Sequence, residues 1–139
     1  HAESLGARPG VVVVFEQWPE HPPGDLAGLA ASVAAIRAAG ATPVVTWEPM
    51  YYRADGVEVI LPAADILGGL YDAYADAFAA ALLAAAGEGE VIVRLMHEPN
   101  LARYHWGVGK NEYDARAPGV YRALWRHLVA RVRGAAGEE

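Results

Sequence analysis

The chain has no cysteine, which excludes disulfide staples and thiolate metal centres. It is short of positive charge: 11 Lys and Arg stand against 17 Asp and Glu, a formal net charge of −6. A phosphate backbone is therefore a poor partner, and no nucleic acid is expected. No apolar run reaches the roughly 18 residues of a membrane span, so no membrane insertion is expected. His1-Ala2-Glu3-Ser4 has neither a basic start nor an apolar stretch, so no signal peptide is read there. The missing initiator methionine suggests that residue 1 is not a natural start. His97 has no second histidine at H-x-x-x-H spacing, so neither a metal site nor a cofactor is expected. Gly107-Val108-Gly109-Lys110 is only a partial phosphate-loop string, and Asn111 follows where Ser or Thr is needed.

What is present is a foldable chain. Over 139 residues it is 54% hydrophobic and 20% charged. That predicts a single domain over residues 1–139 rather than a disordered segment. Alanine supplies much of the apolar fraction and favours helices.

Read in order, residues 1–9 form the tail of a helix, with Gly6 and Pro9 as stops. Val11 to Phe15 is a short β-branched run and predicts a strand. It ends in Glu16-Gln17-Trp18, followed by a Pro-rich loop. Asp25 is placed as an N-cap, Leu26, Leu29, Val33 and Ile36 follow at helical spacing, and Gly40 is the stop. Thr42 to Trp47 predicts the second strand, closed by Glu48-Pro49. Residues 50–65 read as a long connection, and Ile66 to Tyr71 as the entry to a helix. Tyr71, Tyr74, Phe78 and Leu82 make one apolar stripe, and Gly87 ends that helix. Val91 to Val93 predicts a buried strand, terminated by Pro99. A long loop from Leu101 to Ala117 leads to Pro118 at a helix start. Tyr121, Trp125, Leu128 and Val132 are expected on that helix's buried face, and fraying is expected from Gly134.

The unit is strand then helix, three times over. Crossovers of that length predict a parallel sheet. All three strand ends carry a carboxylate: Glu16, Glu48 and Glu98. Parallel strands share one carboxyl edge, where α/β proteins bind ligands, so a cleft is expected there.

Glu98 is the leading candidate, as a general acid or base. The competing reading is a structural carboxylate paired with Arg94 or His97; Arg94 and Glu98 would share a face of a continuing strand. Glu48 and Glu16 could bind ligand hydroxyls or simply be solvated. His97 suits an orienting hydrogen bond better than zinc. Trp18, Trp47, Trp106 and Tyr104 could be core residues. Lying at strand ends or in a loop, beside carboxylates and the Asn100 amide, they also suit a sugar, whose C–H faces stack on rings while its hydroxyls need fixed polar partners. Trp125, on an apolar helical stripe, is expected in the core.

These strings resemble glycoside hydrolase family 26, best known for β-mannanases and also containing enzymes of mixed-linkage glucans and xylans. Leu5-Gly6-Ala7-Arg8-Pro9 with Phe15-Glu16-Gln17-Trp18 is similar to that family's second barrel strand, and Pro43 to Pro49 to its third. Gly69-Leu70-Tyr71-Asp72 is similar to a family helix start. Arg94-Leu95-Met96-His97-Glu98-Pro99-Asn100 resembles its fourth strand, usually R-x-x-H-E-M-N. Tyr104, Trp106, Gly107 and Asn111 are similar to the following loop, and Tyr121 to His127 to the next helix. Pro99 replaces the usual Met, and Leu101, Arg103 and His105 replace common Gly, Trp and Pro.

The resemblance implies a partial (β/α)8 TIM barrel, about three parallel strand–helix units covering strands two to four. It implies a retaining β-glycan hydrolase in which Glu98 is the general acid/base. His97, Trp106, Tyr104, Trp47, Glu48, Trp18, Asn100 and Arg94 would line the sugar site. The localisation is left open by the residues themselves; the resemblance implies secretion. The retaining nucleophile stands roughly 5 Å from the acid/base and comes from a seventh strand, which these residues do not supply. The expectation is a segment with the acid/base half of the site and little activity alone. The alternative is a non-catalytic carbohydrate-binding α/β module. In either case the expected partner is a β-linked polysaccharide or oligosaccharide, and open sheet edges allow self-association.

Overall fold

A computed structural model describes residues 9–107, 110, 113 and 119–137. The expected helix tail over residues 1–8, Asn111 and Pro118 lie outside the described residues, as do Val108 and Gly109.

Three strands, β1 (Val11–Gln17), β2 (Thr42–Glu48) and β5 (Ile92–Leu95), form one parallel sheet in the order β1-β2-β5. The parallel sheet is as expected: helical crossovers α1 (Ala27–Ala38) and α3 (Asp72–Ala86) return the chain to the same edge. The Asp25 carboxylate accepts the Ala27 amide at 2.9 Å, so it caps α1 from one residue further out. Gly87 terminates α3 at φ 59. The last helix, α4 (Val120–Ala135), runs through Gly134 rather than fraying there.

Two stretches depart from expectation. The connection after β2 is an antiparallel hairpin, β3 (Met50–Tyr52) and β4 (Glu58–Ile60). Its turn holds Gly56 at φ 79, and the Asp55 carboxylate accepts the Val57 amide. Asp-Gly between short β-prone runs is a hairpin signal, and Asp55-Gly56 is the cue that reading residues 50–65 as a connection passed over. The helix expected from Ile66 is two helices. A short α2 (Ala63–Leu67) stops at Gly68-Gly69, where Gly69 has φ 87, before α3 begins.

The partial (β/α)8 barrel is not what forms. Among the described residues, three parallel strands make one sheet, two antiparallel strands make another, and four helices accompany them. Closure needs eight tilted, staggered strands with no edge left over. Here β1 and β5 are both edges.

The helices cover one face of the sheet. Trp47, in β2, stacks on Phe78 of α3 with ring centres 4.1 Å apart and planes 7° apart. Trp18, Tyr71 and Tyr74 complete that aromatic core, with Trp18 and Trp47 rings 4.6 Å apart. Leu29 and Val33 enter it from α1, and Leu124 and Leu128 from α4. The other face is open. Val11, Val13 and Phe15 of β1 and Ile92 of β5 are exposed. Val91 to Val93 is therefore not a strand buried on both faces as expected: Ile92 is exposed, and no layer of the described residues lies over it. Trp125 is likewise not core: it is 45% exposed. It lines a groove of about 240 Å³ with Val93, Leu95 and Leu128 between β5 and α4. The sheet stops at β5, so α4's stripe is only half covered.

Candidate functional site

Alternation along the strands decides what reaches the open face. Cα partners in a parallel pair point to the same side. Gln17 aligns with Glu48, whereas Glu16 aligns with Trp47. Gln17 and Glu48 therefore turn to the open side. Glu16 turns to the helix-covered side, near Tyr74 and Asp25, where burial foremost pushes its carboxyl up to about 7. The expected trio of strand-end carboxylates is split by this parity: Glu48 and Glu98 share a site, and Glu16 does not.

Glu48 is the buried centre of that site. One oxygen accepts from Gln17 Nε2 at 2.6 Å. The other lies 3.5 Å from His97 Nδ1, and both side chains are under 5% exposed. Burial raises the Glu48 carboxyl above its ordinary range, opposed by the Gln17 hydrogen bond. Burial lowers His97, with Arg94 pushing the same way. His97 Nε2 stands 2.8 Å from the Tyr104 hydroxyl and 3.8 Å from Glu98 Oε2. Tyr104 also interacts with the Glu98 carboxylate.

The end of β5 is where regular backbone stops. Met96 still donates its amide to Trp47 O at 3.1 Å. Met96 and Glu98 then adopt φ 46 and φ 50. Left-handed backbone is uncommon for non-glycine residues and recurs at functional sites. The kink also undoes the expected Arg94–Glu98 pairing, because strand alternation no longer links them. Arg94 instead donates to Thr46 Oγ1 from Nε at 3.0 Å and from Nη2 at 2.7 Å. Glu98 is left about half exposed, beside a buried histidine.

The loop after β5 is held from two directions. Trp106 Nε1 donates to His97 O at 2.7 Å, and Tyr104 stacks on Trp106 at 5.2 Å and 8°. Gly107 closes the turn against Leu101, whose carbonyl oxygen would lie 1.7 Å from an added Cβ. From the hairpin, Glu58 accepts two hydrogen bonds from Arg103 and faces His105 Nε2 at 2.9 Å. The unforeseen β3–β4 hairpin thus fixes residues on both sides of Tyr104.

Of the expected site residues, the structure brings Glu98, His97, Tyr104, Glu48 and Trp106 together. Asn100 follows on the exposed turn and Arg94 lies on the open face beside Thr46. Trp18 and Trp47 are core residues with at most 1% exposure, so neither offers a ring face to a ligand. Trp106 is also buried. Tyr104 lies between Trp106 and the Arg103 guanidinium, which stands 5.3 Å from its ring centre. The exposed ring beside His97 is Phe15, 53% exposed and 5.6 Å from the imidazole, with the Arg94 guanidinium 6.0 Å from its centre. Sequence reasoning assigned Phe15 to a strand and missed it as a site residue. Its alternation with Gln17, two positions on, is the signal that points there. Among the described residues, no group of three metal-ligating side chains comes together.

The fold and site define an α/β chain with a buried acid–histidine pair, a half-buried phenol against it and an accessible glutamate, at the carboxyl edge of a parallel sheet. No family model matches the chain, and no curated protein matches it. No helix among the described residues is long and apolar enough to cross a membrane.

Proposed function

We propose that this edge binds a β-linked oligosaccharide, of mannan or a related β-glycan, in the manner of a retaining glycosidase site in which Glu98 is the general acid/base. The observation that carries the reading is Glu98 itself. It is half exposed on left-handed backbone, with His97 and Tyr104 against it and the exposed Phe15 ring beside His97. A sugar needs an apolar ring for its C–H face and fixed polar groups for its hydroxyls. Phe15 supplies the first; Arg94, Asn100 and Glu98 supply the second.

The reaction class needs a second carboxylate roughly 5 Å from the acid/base. Glu48 is committed to Gln17 and His97, and Glu16 points to the other face. Among the described residues neither of these carboxylates is free for that role, so we take the chain to carry the acid/base half of the chemistry and expect binding without turnover. Titration calorimetry with manno- and gluco-oligosaccharides tests this. Wild type should bind, and Phe15→Ala should weaken binding about fivefold, the scale of a lost ring contact of roughly 1 kcal/mol. No binding by either oligosaccharide series sinks the reading. Robust β-mannan hydrolysis that disappears in Glu98→Gln overturns the half-site statement and makes the chain a complete enzyme.

A second reading is favoured by the open face: self-association. β1 exposes unpaired backbone with Val11, Val12, Val13 and Val14, and no Lys or Pro guards that edge. A second copy seated on this face would cover Phe15, so the two readings compete for one ring. Light scattering decides between them. A stable monomer that binds sugar rejects association, and a dimer that dissociates on adding oligosaccharide supports competition.

A further inference from the structure

Buried polar atoms are nearly always hydrogen-bonded. His97 Nδ1 is an exception: its side chain is 4% exposed, and the atom has no hydrogen-bond partner. It faces Glu48 Oε1 at 3.5 Å, just beyond bonding range. Glu48 comes from the neighbouring strand and is held in place by Gln17. Across the ring, Nε2 is 2.8 Å from the Tyr104 hydroxyl. The contacts run Gln17, Glu48, His97, Tyr104, Glu98, from the buried strand ends out to solvent.

Hydrogen-bond chemistry orders this array. A neutral imidazole donates from one nitrogen and accepts at the other, and an ionised carboxylate only accepts. With the proton on Nδ1, the ring points its N–H at Glu48, and Nε2 accepts from the Tyr104 O–H. The opposite tautomer would set a lone pair against a buried carboxylate.

We propose that Glu48 is a positioning residue: it keeps the proton of neutral His97 on Nδ1, which makes Nε2 the acceptor for Tyr104 and fixes the phenol beside Glu98. The functional consequence rests on the reading of Glu98 as the acid/base, whereas the tautomer does not. Burial holds His97 low and so favours the neutral ring. The charged and titratable groups acting on the pair are Arg94, Glu98, Glu58 and Arg103, with Tyr104 in contact. Carboxylate–histidine pairs of this kind fix tautomer and ring direction in many sites.

The test is a long-range proton–nitrogen correlation spectrum of the full chain at pH 7.5. The His97 signals are assigned by their loss in His97→Gln. Wild type should show Nδ1 protonated and Nε2 bare. Glu48→Gln can donate its amide to Nδ1, so it should move the proton to Nε2. Tyr104→Phe should leave the proton on Nδ1. Glu48→Gln should also weaken oligosaccharide binding about tenfold or more, the effect of a misplaced polar group. A wild-type ring protonated on Nε2 overturns the proposal, even if Glu48→Gln does not fold. So does an unchanged tautomer in Glu48→Gln, or a flip in Tyr104→Phe. Should wild type bind no sugar, the functional reading fails while the spectrum still decides the tautomer.

Discussion

The two faces of the parallel sheet are built from the same strands and do opposite work. One residue along a strand is enough to cross from one to the other. Trp47 is sealed against Phe78, Trp18 and Tyr74, whereas Glu48, next in sequence, meets Gln17 and His97. Glu16 belongs with the first group and Gln17 with the second. Parallel sheets are usually covered on both faces. Here the uncovered face keeps its apolar residues, including Val13 and Phe15, in contact with solvent. Apolar character along these strands therefore does not measure burial, and a carboxylate at a strand end does not by itself mark a site. The neighbours across the sheet decide both.

The contrast is open to experiment. The largest effect is expected on the covered face. Phe78→Ala removes a stacked, fully buried ring and should lower the stability in urea denaturation by about 3–5 kcal/mol. A loss below 1 kcal/mol would mean that the aromatic core is not the centre of stability. The next effect is local to the site. Gly107→Ala drives a methyl into Leu101 O and should destabilise by about 1–3 kcal/mol. The His97–Tyr104 contact should be lost while the core aromatics keep their near-ultraviolet circular dichroism. An intact contact in that variant would show that the loop adapts.

Glu16 sharpens the comparison through pH. Its folded pKa is about 7, raised from an ordinary 4.5. A raised acid is more protonated in the folded state, so stability falls as pH rises from about 4.5 to 7 and the loss is complete above that. Glu16 is only half buried, and solvent screening reduces the loss to about 1 kcal/mol. Glu16→Gln should flatten the stability profile between pH 5 and 8 by that amount; an equally steep profile would assign the slope to another group. The smallest effect is expected on the open face. Phe15→Ala should change stability by no more than about 0.5 kcal/mol, as surface substitutions do, while still weakening sugar binding. A loss comparable to Phe78→Ala would mean that Phe15 is buried in solution, as association through this face requires.

Much of the architecture was legible because it follows from local chemistry. β-branched runs gave strands, alanine-rich stripes gave helices, and Gly40 and Gly87 stood near their ends. The site was legible in part. His97, Glu98, Glu48, Tyr104 and Trp106 do come together, whereas Trp18 and Trp47 turn inward and Phe15 turns outward. Residue type favours both outcomes equally for an aromatic at a strand end.

The sequence by itself determined the order of the three main strands and the helices between them, their parallel direction and the strand end at which polar residues collect. These depend on propensity, periodicity and crossover length, all properties of neighbours along the chain. Only the tertiary structure decided that the sheet stays open, that residues 50–60 fold back as a hairpin, and that Glu58 reaches the loop at Arg103 and His105. It also decided which carboxylate meets His97. The reason is physical: register and coverage are set by contacts between segments far apart in sequence, and a single step of register carries a side chain from one face of a sheet to the other.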